Sequence, residues 1–190
     1  DGRALVEVRS SGGKRLFAGK HADVSVEKGN PIYELPPLTF ELWEFKLSAE
    51  AFAASVNQTT VKAVRIWLEQ FGGVRLYHRG VRVLPYGDPK NDWLDMNLRR
   101  SQHQELRPST NNSLGCVRIE DPSGVFQQKT DRLGFVESHA LDELRRFTDE
   151  ALDWMSRERR KEREQRKKAA IERIQAEKTD AEKQMEAVIE

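Results

Sequence analysis

After Gly134 the chain contains neither glycine nor proline. A stretch that long, with no residue to free or break the backbone, is constrained toward helix. Ser138 suits the N-cap, and Asp142 and Glu143 follow in the first turn, where the helix dipole favours acids. Leu141, Leu144, Phe147/Thr148, Ala151 and Met155 form a heptad-like stripe. "SRERRKEREQRKK" (156–168) then carries no apolar residue at all, before Ile171, Ile174, Ala181, Met185 and Val188 resume at a/d spacing in a shifted register. The pattern predicts one helix over 138–190, roughly 80 Å long at about 1.5 Å per residue. Its a/d stretches allow a coiled coil, with a second copy of the chain or with a neighbouring segment.

Anything compact must therefore be built from the residues before it. "ALVEVRS" (4–10) alternates apolar and polar as a half-buried strand does, and "SSGGKR" (10–15) is a turn. "LFAGKHADVSV" (16–26) is expected to return as a second strand, after which Pro31, Pro36 and Pro37 break the chain. "LTFELWEFKLS" (38–48) is the clearest strand, with Leu38, Phe40 and Leu42 on one face and Thr39, Glu41 and Trp43 on the other. A helix is predicted over about 58–70, its buried stripe drawn from Val61, Val64, Ile66, Trp67 and Leu68, with Gly72-Gly73 closing it. "VRLYHRGVRVLPYG" (74–87) reads as a hairpin through His78-Arg79-Gly80, and "SLGCVRIE" (113–120) as a further strand. Residues 88–112 lack periodicity and read as a long loop.

One helix on one face of a mixed sheet makes the expected fold an α/β two-layer sandwich with one covering helix, followed by the long C-terminal helix. The expected organisation is 1–37 as N-terminal strands and turns (a small insertion or the end of a preceding domain), 38–137 as the α/β domain, and 138–190 as the charged helix.

Charge and cysteine content narrow the function classes. Lys and Arg number 32 against 31 Asp and Glu, so net charge makes no case for nucleic acid or membrane. The tract 156–168 is basic, but Glu158, Glu162 and Glu164 interrupt it and set up Glu162–Arg166 and Glu164–Lys168 pairs. A solvated helix face is thus favoured over a nucleic-acid partner. Cys116 is the one cysteine and the four histidines are scattered, which leaves no zinc motif and points to a reducing cytoplasm. No apolar run is long enough to span a bilayer. The chain opens Asp1-Gly2-Arg3 rather than on methionine, and is expected to be a fragment of something longer.

Catalytic signatures are missing. Gly13-Lys14 is followed by Arg15 and has Val8 where a P-loop needs its first glycine, and neither G-x-G-x-x-G nor G-x-S-x-G occurs. Asp88, Asp92 and Asp95 read as turn-capping carboxylates. Trp43 and Trp67 are expected to pack, and Cys116 to be an inert buried thiol.

"FGGVRLYHRGVRVLPYGDPKNDWLDMNLRR" (71–100) resembles the segment that follows the ATPase domain in bacterial GHKL ATPases, the gyrase, Hsp-ninety, histidine-kinase and MutL superfamily, in its chaperone- and MORC-like branch. The likeness rests on Gly72, Gly73, Val74, Arg75, Tyr77, Gly80, Arg82, Val83, Pro85, Tyr86, Gly87, Pro89, Asn91, Asp92, Trp93 and Leu94. His78-Arg79 stands where that branch has Arg-Asp, and Val81 where it has Phe. Two later stretches agree: Arg107, Asn111, Asn112, Gly115, Val117 and Ile119, then Thr130, Arg132, Gly134 and Glu137, with Leu133 replacing an acid. The resemblance covers roughly 38–147.

It implies a transducer domain of the ribosomal-S-five-like type, sitting behind an ATPase domain that holds ATP and Mg. Such a module lends one basic side chain to the γ-phosphate and relays nucleotide state. Arg132 aligns with the family arginine, and Lys129 is the rival, since gyrase- and MutL-type members use a loop lysine. Neither Glu-x-x-x-Asn nor Asp-x-Gly-x-Gly of the ATPase domain occurs here, so the resemblance implies no nucleotide cofactor in this chain alone and a partner domain carrying it. The 85–94 loop is expected to fold around Trp93, with Asn91 and Asp92 bonding the backbone, and to support the sheet edge.

Overall fold

Strand alternation at 38–44 and 113–119 sets up the centre of the molecule. The computed structural model describes residues 2–27, 29, 31–48, 50, 52, 60–102 and 107–189, with side chains as far as Gln175. The elements in order are β1 (Leu5–Arg9), β2 (Arg15–Lys20), α1 (His21–Val24), β3 (Leu38–Glu44), α2 (Val61–Phe71), β4 (Gly73–His78), β5 (Val81–Val83), α3 (Met96–Gln102), β6 (Ser113–Ile119) and α4 (His139–Ile189). β1 and β2 form a two-stranded antiparallel ribbon, and the other four strands form one sheet in the order β3-β6-β4-β5. β6 runs antiparallel to β3 and parallel to β4, while β4 and β5 are antiparallel, so the sheet is mixed. Arg79 and Gly80 join β4 to β5, both at positive φ (51° and 80°), the twist a two-residue hairpin needs.

The two-residue repeat sorts the sheet into faces. Phe40 pairs with Val117, Val117 with Leu76 and Leu76 with Val83, which aligns one apolar row. Val74, Leu76, Val83, Val117 and Ile119 are buried there against Ala140, Leu141, Leu144 and Leu152 of α4. The two-layer α/β class is as expected, but the cover comes from the first turns of the long helix and not from the 58–70 helix. α2 buries only Leu68 fully, while Ile66 and Trp67 are 50% and 43% exposed. Leucines one and two turns apart give α4 a continuous apolar strip that fills the sheet face, whereas the bulky residues of α2 fall outside its Val61–Val64–Leu68 line. Trp67 instead meets Phe45 and Phe71 edgewise or tilted, at 6.4 and 5.3 Å. Trp43 is 53% exposed, so the packing role expected for both tryptophans is not a core one. Cys116 is buried, and burial pushes its thiol above the usual range.

Two local expectations also change. The strand expected over 16–26 stops at Lys20, because the Asp23 carboxylate accepts the Lys20 N–H at 2.8 Å and starts α1. The 88–112 loop contains α3, capped by Asp92, whose carboxylate accepts the N–H groups of Met96 (3.0 Å) and Asn97 (2.8 Å). α4 is tied to the segment after α3 by Arg107, which is buried and pairs with Asp149 and, at 2.8 Å, with Asp153.

Residues 1–155 form one compact unit and 156–190 a second, the division falling where the apolar stripe of α4 gives way to charge. In the second unit Ile171 and Ile174 are 56% and 53% exposed. Lys161–Glu158 and Arg166–Glu162 pair along the helix. No helix among the described residues is long and apolar enough to cross a membrane.

Candidate functional site

The stretch leading from β6 to α4 folds back on itself as a narrow ribbon. Val136 N–H donates to the Gln127 carbonyl (2.8 Å), Lys129 N–H to Gly134 (3.0 Å) and Arg132 N–H to Lys129 (2.9 Å). The tip is thus Lys129-Thr130-Asp131-Arg132, closed by the Asp131 carboxylate accepting the Leu133 N–H at 2.9 Å. Arg132 takes φ 61°, a left-handed conformation that an arginine adopts at a cost. The fold therefore brings both residues singled out in the sequence, Arg132 and Lys129, to the two ends of one four-residue turn. Both are exposed, and neither side chain makes a hydrogen bond or ion pair among the described residues.

The ribbon is braced at its base. Phe135 is buried against Phe126 (5.1 Å), His78 (5.3 Å) and Tyr86 (6.0 Å between ring centres). Its N–H donates to the Tyr86 hydroxyl at 3.1 Å, and Leu133 bridges to Leu84. On the far side, Glu137 pairs with Arg145 at 2.9 Å and Ser138 caps α4, its hydroxyl accepting the Leu141 N–H. Arg145 first, then Lys129 more weakly, hold the Glu137 carboxyl below the usual range.

Asp121 anchors the other end. It is fully buried and accepts the N–H groups of Val125 (2.8 Å) and Phe126 (3.1 Å) and the His78 Nε2–H (2.8 Å). The Arg79 guanidinium donates to its carbonyl at 2.6 and 3.0 Å. Burial alone would raise the Asp121 carboxyl, but the Val125, His78 and Phe126 donors outweigh it and hold the group below its ordinary value. A depressed carboxylate contributes stability that is present above its unfolded pKa and lost as pH falls through its folded one. Asp121→Asn should accordingly lower the urea midpoint at neutral pH and flatten its decline below about pH 4, measured by chemical denaturation across pH. A decline as steep as the parent's would overturn that role.

The 85–94 loop supports this region as expected in outline. The Trp93 indole N–H donates to the Val74 carbonyl at 2.7 Å, and its ring meets Tyr86 edge-on at 5.1 Å. Asp92 bonds the backbone through its carboxylate, and Asn91 does so through its N–H, which donates to the Asp88 carbonyl at 2.9 Å, while its side-chain Oδ1 is buried without a partner among the described residues. Gly87 is required sterically, since a Cβ there would lie 2.4 Å from the Val74 carbonyl oxygen. Sequence reasoning missed the roles of His78, Asp121 and Phe135. Only the turn composition Asp121-Pro122-Ser123-Gly124 hinted at one of them.

No group of three or more His, Cys, Asp or Glu among the described residues is placed to hold a metal ion. Comparison with protein-family models, with curated proteins and with solved structures finds no match for this chain.

Proposed function

We propose that this chain is the transducer module of a GHKL-type ATPase, with Arg132 contacting the γ-phosphate of ATP held with Mg by a preceding domain. The observation that carries the reading is the state of Arg132: exposed, without a side-chain partner among the described residues, and at positive φ on a braced turn. Strained backbone at the tip of an anchored loop is a feature functional positions share. Transfer of a phosphoryl group builds negative charge on its outer oxygens, and the protein's part is largely to place a cation there. Arginine suits this because its fork grips two oxygens and keeps its proton. Lys129, at the other end of the turn, is the second candidate. The loop runs through Ser138 directly into α4, which gives a mechanical route from phosphate to helix. A cytoplasmic location goes with this reading.

In the protein that carries the ATPase domain ahead of this module, Arg132→Ala should reduce kcat by about 100- to 1,000-fold and leave ATP affinity within about threefold. Single-turnover hydrolysis and nucleotide titration measure the two. Unchanged turnover would remove Arg132 from the role and pass the test to Lys129→Ala. An upstream reading frame lacking Glu-x-x-x-Asn and Asp-x-Gly-x-Gly would end the reading altogether.

A further inference from the structure

We propose that the described residues of 2–35 form a strap that opens from α4 as a unit while the four-stranded sheet stays folded. The strap is closed on itself. Tyr33 N–H donates to the Gly2 carbonyl at 2.8 Å, which joins its two ends, and Gly2 sits at φ 68° with no room for a Cβ beside the Tyr33 oxygen. Within it, β1 pairs with β2, and His21 braces the ring thus formed: its Nδ1 accepts the Ala4 N–H (3.3 Å) and its Nε2 lies 3.1 Å from the Pro31 carbonyl. Among the described residues, no backbone–backbone hydrogen bond joins residues 2–35 to the rest of the chain. The strap's attachment therefore depends on side chains.

Those side chains make a contact that is half polar. The Tyr33 hydroxyl donates to Glu150 at 2.5 Å, and the Arg146 guanidinium lies 4.5 Å over the Tyr33 ring while pairing with Glu143 at 2.7 Å. Glu143 also accepts the Glu34 N–H at 3.0 Å. Among the described residues, apolar burial there is the smaller: five buried residues, Ala4, Val24, Tyr33, Ala151 and Trp154, ringed by partly buried side chains such as Phe17 and Phe147, against fourteen buried in the core beneath the sheet. Gly19 fits directly on the Trp154 ring, where a Cβ would come within 2.7 Å. Burial per residue sets how much free energy holds a segment in place, so the weaker cluster opens first. Leu35 touches both clusters, as Phe40 of β3 and Met155 of α4 do, and as the last residue of the strap it marks the hinge. Opening exposes the Glu143–Arg146–Glu150 face of α4 and Trp154, turning the helix from clasped on two sides to clasped on one.

The strap stands whether or not the loop cation reads a nucleotide. Native-state hydrogen exchange read by mass spectrometry, in sub-denaturing guanidinium, tests it on the chain as it is. Amides of β1 and β2 should exchange at least about tenfold faster than those of β4 and β6. Tyr33→Phe, which deletes one hydroxyl, should quicken the ribbon by roughly a further tenfold and leave β4 and β6 unchanged. Glu150→Gln should act in the same direction. Equal exchange of ribbon and sheet, or a variant that accelerates both together, would overturn the proposal.

Discussion

Phe135→Ala should destabilise the chain by about 3–5 kcal/mol, a large share of what a domain of this size has to lose. Phe135 is 1% exposed and sits among Phe126, His78 and Tyr86, so truncation opens a cavity under the Lys129–Arg132 turn. Its N–H bond to Tyr86 survives the change, which makes the loss one of packing. Urea denaturation followed by tryptophan fluorescence should show a lower midpoint at an unchanged slope. Leu133→Ala is the control: two residues away, Leu133 is 53% exposed, and its truncation should stay within about 0.5 kcal/mol. Comparable losses from the two changes would mean that the ribbon is not anchored through Phe135.

Arg107→Ala ranks second, with an expected cost of about 3 kcal/mol, at the low end for breaking a buried pair because Asp149 and Asp153 keep some contact with water. Arg107 is 2% exposed and joins the segment after α3 to the helix that covers the sheet. Its Nε is buried without a partner among the described residues, so Arg107→Met should recover part of the loss by removing that unmet donor along with the charge. Arg118→Ala offers the contrast. Its pair with Glu41 lies on the surface, where about 1 kcal/mol or less is at stake. Thermal denaturation of the three variants checks the ranking, and Arg107→Ala no worse than Arg118→Ala would contradict it.

What was legible in the sequence is what local chemistry decides. Alternation placed β3, two β-like runs joined at His78-Arg79-Gly80 placed the β4–β5 hairpin, and Ser138 with the glycine-free run after it placed the start of α4. What escaped was settled by residues distant in sequence. α2 and α4 both present apolar positions at helical spacing, and nothing local says which one the sheet receives. His78 and Asp121 meet across 43 positions, so their bond has no short-range signature. α1 replaced the end of a strand because one aspartate reached back to a backbone N–H, a choice that apolar patterning does not register. Arg132 and Lys129 came from resemblance to a family and not from spacing. Their meeting at one turn is geometry, while the task assigned to them remains a proposal.

The strand order has a consequence for how the polypeptide matures. β6 occupies an interior position between β3 and β4, yet it is the last of the four to be synthesised. A nascent chain that has reached Gln102 owns two pieces of sheet with a vacant slot between them, and no helix yet made to close the layer. Long-range pairing of this kind is slow to form and leaves strand edges uncovered meanwhile. Completion waits for β6 and the Ala140–Leu152 stretch of α4 to emerge from the ribosome, so chains shortened before Ser113 should collapse without ever acquiring the native topology.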